Sequence, residues 1–270
     1  MEVRFWGVRG SIPTPEVDRL RYGGNTTCLE IGTPGQREPV IIDCGSGIRA
    51  LGDELLRRQA RRIHILLTHF HWDHIQGLPS FAPLFQPGVE ITIYSHRSTL
   101  ESCLLLAAQM ADPFIPVQFN EVGSQVDFRQ VEPGKELTIG ALKIDPFLLN
   151  HPQGAVGYLF ESEGHVLVHA ADHETGVAEI DAGLVRAARG AGLLVMDAQY
   201  TPEEYPSKIG WGHSSYAHAA DAAQAAGVKQ LLLFHHDPAH SDDFLDQMQA
   251  DALKLFAATG IAREGMAVEV

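Results

Sequence analysis

Thr68-His69-Phe70-His71-Trp72-Asp73-His74 places four metal-capable side chains within six positions. The stretch directly follows Ile63-His64-Ile65-Leu66-Leu67, an apolar run that reads as a strand. Imidazole and carboxylate are donors that zinc, manganese and iron accept. Side chains along an extended chain repeat every second residue, so an extended turn sends His69, His71 and Asp73 one way and leaves His74 for a second ion. A chance surface cluster is the competing reading in a chain with 14 His. It does not explain why an apolar strand comes immediately before, or why Ile75-Gln76-Gly77-Leu78-Pro79 follows as a short helix and its stop.

Working outward, 270 residues with 45% hydrophobic content can build one substantial core, and no linker divides them. We therefore expect a single domain over 1–270. No run of about 18 apolar residues exists, so no membrane span is expected. Met1-Glu2-Val3-Arg4-Phe5-Trp6 has no apolar signal core, which points away from secretion. Cys28, Cys44 and Cys103 are odd in number and widely spaced, as suits reduced thiols in a cytoplasm. The formal charge of −14 argues against a long nucleic-acid partner, whose phosphates need Lys and Arg, but leaves a small phosphate ester open. A homodimer is compatible with the sequence and nothing in it demands one.

Strand-like runs recur at 2–6, 27–31, 39–43, 63–67, 89–94, 137–148, 156–160, 165–169, 193–196 and 230–234. Helix-like segments lie at 47–59, 98–110, 214–226 and 241–258. Ser98, Ser214-Ser215 and Ser241 suit N-terminal caps, and Gly227 a C-terminal one. Residues 111–133, with Pro113-Phe114-Ile115-Pro116, read as irregular, a wall of the site or a dimer contact. Alternating strands and helices mean an α/β fold, and periodicity alone allows a doubly wound parallel sheet.

The segment 69–74 resembles the metal-binding signature of the metallo-β-lactamase superfamily of dinuclear metallohydrolases. Later positions match that family's pattern in order: His151 in Asn150-His151-Pro152, Asp172 after Val166-Leu167-Val168-His169-Ala170-Ala171, and His235 after Leu231-Leu232-Leu233-Phe234. His236 competes with His235, which fits the end of the apolar run better. The resemblance spans essentially the whole chain. It implies a four-layer αββα sandwich with metals at one edge of the two sheets. It implies two divalent ions, zinc foremost, with manganese or iron as alternatives. His69, His71 and His151 would hold one ion, Asp73, His74 and His235 the other, and Asp172 would bridge them. A metal-bridging hydroxide would be the nucleophile, with Asp73 close to the reacting atoms.

Gly212-His213-Ser214-Ser215 resembles the His-Ser-Thr element of the RNase Z-like group, with Ser215 in place of Thr. In that group this His assists the leaving group and an acid on a preceding strand orients it. Val195-Met196-Asp197-Ala198 supplies that acid, as Asp rather than Glu. His213 could instead serve only the helix beginning nearby. Gly7-Val8-Arg9-Gly10-Ser11, Tyr22-Gly23-Gly24-Asn25-Thr26 and Asp43-Cys44-Gly45-Ser46-Gly47 are also similar to this group. The last is read as a tight strand-to-helix turn.

The tRNA-processing ribonucleases of the group carry a long arm between the counterparts of His151 and Asp172. Here only 20 residues separate the two, so no such arm fits. The resemblance and this departure together imply a phosphodiesterase for small or cyclic phosphodiesters, such as cyclic nucleotides. Tyr205, Lys208 and Trp211 are candidate substrate contacts. Hydrolysis of a thioester, lactone or β-lactam is the runner-up activity, and a non-catalytic nucleotide sensor is the alternative of another class.

Overall fold

The computed structural model describes residues 1–270. Its first half runs β1 (Glu2–Gly7), β2 (Cys28–Gly32), β3 (Val40–Ile42), α1 (Ile48–Arg57), β4 (Arg62–Leu66), α2 (Trp72–Ile75), β5 (Glu90–Ser95), α3 (Thr99–Gln109) and β6 (Gln125–Gln130). Next come β7 (Leu137–Ile139), β8 (Leu142–Leu149), β9 (Ala155–Ser162), β10 (His165–Ala170), α4 (Ala178–Ala187) and β11 (Leu193–Asp197). The chain ends with α5 (Tyr216–Ala226), β12 (Leu231–Phe234), α6 (Asp242–Leu255), β13 (Thr259–Ile261) and β14 (Ala267–Glu269).

The strands form two seven-stranded sheets, ordered β14-β1-β2-β3-β4-β5-β6 and β13-β12-β11-β10-β9-β8-β7. Each sheet is antiparallel on one side and parallel on the other. β3 to β6 run parallel in the first, and β10 to β13 in the second. Parallel neighbours need a crossover, and helices supply most of it: α1 between β3 and β4, α3 between β5 and β6, then α4, α5 and α6 between successive strands of the second sheet.

Three apolar clusters make four layers. Phe5, Leu29, Ile31 and Ile42 from one sheet pack on Tyr158, Phe160, Val195 and Phe234 from the other. Ile48, Leu51 and Leu55 of α1 seal the outer face of the first sheet against Ile41, Ile63 and Ile65. Ala219, Ala220 and Ala223 of α5 do the same on the second sheet, against Leu194 and Leu233. The architecture is the αββα sandwich, not the single doubly wound sheet that periodicity also allows. No helix is long and apolar enough to cross a membrane.

The serine caps form as read: Ser98, Ser215 and Ser241 each accept a backbone N–H three residues on. Gly227 closes α5 in the left-handed conformation, φ 64°. Several readings need correction. The run 137–148 is two strands, because Gly140 (φ 58°) reverses the chain into a hairpin. Within 111–133, β6 is a regular parallel strand on β5, and α4, β13 and β14 carried no strong apolar signal. In α3, Leu100 and Leu104 are exposed while Ser102 and Leu106 face inward.

Candidate metal centre

The loops that follow β3, β4, β8, β10, β11 and β12 meet at one edge of the two sheets, and each brings a polar side chain there. The loop after β4 brings His69 and His71, and α2 then turns Asp73 and His74 inward. His151 lies two residues past the end of β8, the turn after β10 presents Asp172, and His235 directly follows β12. Asp43, Asp172 and His235 all enter left-handed backbone at a strand end, with φ of 60°, 57° and 62°. Such geometry costs a non-glycine residue about 1–3 kcal/mol and collects at functional sites.

The two oxygens of Asp172 divide the cluster. Oδ2 lies 3.6 Å from Nε2 of both His69 and His151, and His151 Nε2 is 3.0 Å from His71 Nδ1. Oδ1 lies 3.2 Å from Nε2 of both His74 and His235. Asp73 Oδ2 completes this second group, 3.1 Å from His235 and 3.4 Å from His74, while accepting Ser11 N–H at 2.7 Å. Two pockets of donors therefore share one carboxylate. Asp73 belongs with His74 and His235 rather than with His69 and His71. The alternation argument fails there because 72–75 is a helical turn, not extended chain.

Every imidazole in the cluster has its outward nitrogen engaged. His74 Nδ1 meets Asp43 Oδ2 at 2.8 Å, and His235 Nδ1 meets Gln199 Oε1 at 3.0 Å. His151 Nδ1 donates to Gly212 O at 2.8 Å, and His71 Nε2 to Gln153 Oε1 at 2.6 Å. His69 Nδ1 meets Thr68 Oγ1 at 3.1 Å, a hydroxyl that itself donates to Asp43. A proton held on the outward nitrogen leaves the inward one as a bare lone pair, the state a metal requires. His69 Nε2, His74 Nε2 and Asp172 Oδ1 are buried with no hydrogen-bond partner. Buried polar atoms without partners are costly, and divalent cations, one in each group of donors, would satisfy all three. The residues fit such ions.

Charge agrees with geometry. Burial, then the neighbouring His74, keeps His69 well below the usual imidazole range, and burial takes His151 down to about 4. Both are thus neutral ligand donors. Burial opposes a charge on His74, yet the carboxylates of Asp172, Asp73 and Asp43 push its pKa well above the usual imidazole range. Three buried carboxylates demand positive charge at that spot. His236 plays no part, since its Nε2 is turned away to Ala262 O at 2.8 Å.

Beside the cluster, His213 Nδ1 lies 2.7 Å from Asp197 Oδ2. Asp197 Oδ1 accepts the N–H groups of Gln199 and Ser214 at 3.1 Å each, which fixes the carboxylate. The His213 ring stacks on His235 at 4.8 Å and 17°. Burial would lower its pKa, but the charge and hydrogen bond of Asp197 raise it to about 9.

Residues 39–236 match the family described as the beta-lactamase superfamily domain. The chain belongs to this family. Ribonuclease Z of Archaeoglobus fulgidus is 24% identical to this superfamily protein, over 100% of this chain and 97% of its own. The fold matches that of the metallo-beta-lactamase fold protein YhfI from Bacillus subtilis, with a TM-score of 0.75 at 18% identity and coverage of 100% and 98%. A diphosphatase from the PhnP family superimposes with a TM-score of 0.73 at 20% identity, covering 100% of this chain and 97% of that one. The family implies divalent metal ions, and the His/Asp cluster is where this chain could bind them.

The three substrate candidates share one loop at the rim. Lys208 Nζ sits 4.4 Å from the centre of the Trp211 ring, and Trp211 is 61% exposed. The Tyr205 hydroxyl donates to Thr175 O at 3.1 Å and is thereby tied to the scaffold. Asp43, Thr68, Gln153 and Gln199 were not singled out from sequence. Asp43 had a usable signal, an acid at the end of a buried strand, but its glycine-rich surroundings drew the reading toward backbone packing. A separate groove of about 810 Å³, lined by Arg37, Arg58, Arg61 and Arg62 with Glu30 and Glu38, lies where β3 and β4 begin and shares no residue with the centre.

Proposed function

We propose that this superfamily protein is a dinuclear metal-dependent phosphodiesterase for small or cyclic phosphodiesters, such as cyclic nucleotides. The observation that carries the reading is the buried Asp197–His213 pair set against the His235 side of the cluster. The likeness to a ribonuclease Z and a diphosphatase favours a phosphoester over a lactone or β-lactam, whose leaving groups also take a proton. A thiolate leaves without one, so a thioester hydrolase has little use for an oriented, cationic His at that place. A phosphodiester does, because negative charge builds on its departing oxygen.

In this reading His69, His71, His151 and Asp172 would hold one ion, and Asp73, His74 and His235, with Asp172 shared, would hold the other. When bound, two divalent ions, zinc foremost and manganese or iron as alternatives, supply the hydroxide nucleophile and Lewis-acid help to the phosphoryl oxygens. Asp43 and Gln199 keep their histidines turned inward. Ser11 N–H steadies Asp73. His213, protonated and held at Nδ1 by Asp197, gives its Nε2 proton to the leaving oxygen. Lys208 and Trp211 lie on the rim where the rest of a substrate would rest. Residues 1–270 act as one unit because both sheets supply donors. The three free thiols suit a reducing cytoplasm.

The whole-length likeness to a ribonuclease Z favours a second reading, cleavage of RNA. Against it, the segment between His151 and Asp172 is filled by the β9–β10 hairpin, turned at Glu163-Gly164, which leaves no arm to grip a long RNA. The formal charge of −14 opposes a polyanion as well.

A panel of bis(p-nitrophenyl) phosphate, cyclic and linear nucleotide diesters and precursor tRNA, each assayed with zinc, manganese and iron, tests the reading. Small diesters should be preferred. Efficient trimming of tRNA, with rates falling steeply as salt rises, would replace it with the RNA reading.

A further inference from the structure

Glu174 has no role in the chemistry described so far. It follows Asp172-His173 and is 8% exposed. Both its carboxylate oxygens are spent on backbone: Oε1 accepts Gly210 N–H and Oε2 accepts Gly212 N–H, each at 2.7 Å. Charge-assisted bonds of this length are among the stronger ones a carboxylate makes. With neither oxygen free, Glu174 is not a proton carrier. It holds the two amides that flank Trp211.

Those amides lead back to the centre. Gly212 O is the acceptor that engages His151 Nδ1 at 2.8 Å. Gly212 itself sits at φ 91°, and a Cβ there would lie 2.2 Å from His151 Nδ1, so backbone and ring are in close contact. On its other side Glu174 is tied to the residue before His151: its N–H donates to Asn150 O at 2.8 Å, and Asn150 Nδ2 donates to Glu174 O at 2.7 Å. Asn150, His151, Gly212 and Glu174 therefore form a closed ring of contacts. His74 and His235 stand outside it, each with its own acceptor, Asp43 and Gln199.

We propose that Glu174 is a positioning residue of the metal centre: by gripping the amides of Gly210 and Gly212 it presses the Gly212 carbonyl against His151 and sets which nitrogen of that ring faces the cluster. The influence is one-sided. It reaches the group of His69, His71 and His151, and it leaves that of Asp73, His74 and His235 alone. The same grip pins the loop that carries Lys208 and Trp211.

The inference rests on the two-ion reading, and its test separates the two. The full-length protein is stripped with a chelator and titrated with zinc alone, alongside Glu174→Gln and Glu174→Ala. Thermal melts and trypsin cleavage after Lys208 are followed in parallel. In Glu174→Gln one amide keeps a carbonyl acceptor while the other faces an NH₂. Partners that orient a metal-binding histidine typically contribute 10- to 100-fold to affinity. One of the two zinc equivalents should weaken by about that factor while the other stays within about threefold, and trypsin should cut at Lys208 faster. Glu174→Ala should show the same asymmetry more strongly. Two unchanged equivalents in both variants would overturn the inference while leaving the two-ion reading intact. Equal weakening of both, with a lowered melting temperature, would make Glu174 a general structural support and overturn it too. A parent protein that takes up fewer than two equivalents would defeat the two-ion reading, and this inference with it.

Discussion

His213 Nδ1 and Asp197 Oδ2 are 2.7 Å apart, joining the loop before α5 to the end of β11, and the carboxylate is fully buried while the imidazole stacks on His235 of the His/Asp cluster. The carboxylate keeps the proton on Nδ1, so the ring presents its other nitrogen to the cluster as a donor when charged. General-acid help of this kind is worth about 10²–10⁴-fold in rate. His213→Ala should lose rate within about that range on a diester with an alkoxide-like leaving group. The loss on a p-nitrophenyl ester should be smaller, because that group leaves without a proton. Asp197→Asn should give a milder form of the same pattern. The measurement is kcat on both ester types alongside metal content. Equal losses on the two esters would remove the general-acid role, and loss of metal would make His213 a ligand or a support.

Asp43 anchors three groups at once: His74 Nδ1 at 2.8 Å, Thr68 N–H at 2.8 Å and the Thr68 hydroxyl at 3.0 Å. Asp43→Ala frees the His74 ring and orphans a buried amide. Zinc binding should weaken about 10- to 100-fold. Unfolding free energy in urea should fall by about 1–3 kcal/mol for the stranded amide alone. Asp43→Asn keeps one acceptor oxygen and should lie between the two. Zinc affinity equal to the parent in Asp43→Ala would mean His74 does not need this partner.

Gly10 lies against the His235 ring, where an added Cβ would sit 2.4 Å from both Nδ1 and Cε1. His235 cannot yield easily, because Gln199 holds its outward nitrogen and the inward one lies 3.1 Å from Asp73 Oδ2 and 3.2 Å from Asp172 Oδ1. Gly10→Ala should cost about 1–3 kcal/mol as overpacking and reduce metal uptake at the Asp73 side. A variant with parent stability and parent metal content would show that the ring has room to move.

What the sequence revealed followed distance along the chain. His69, His71, Asp73 and His74 are legible because one turn carries them all. His151, Asp172 and His235 become legible only through their order relative to that turn. Alternation alone sends Asp73 toward His69 and His71, since nothing local announces that helix begins at Trp72, whereas the family pattern places it with His74 and His235, beside which it lies. Asp43, Gln153 and Gln199 matter through partners 31, 82 and 36 residues away, and no local pattern encodes such pairings. Weakly patterned elements were lost for a different reason. Helix α4 buries only Leu184, and β6 is an edge strand alternating half-buried Val126 and Phe128 with charged Asp127 and Arg129. Neither buries enough apolar surface to leave a period of its own.

The arrangement around Asp172 makes the sharpest claim: one carboxylate, with Oδ2 toward His69 and His151 and Oδ1 toward His74 and His235, serving two ions. Metal analysis of the zinc-saturated protein, after loosely bound ion is removed, tests it most directly, with Asp172→Ala measured beside the parent. Two ions per chain in the parent, and weakened binding of both in Asp172→Ala, is the expected result. No more than one ion per chain at saturation in the parent would contradict a dinuclear centre.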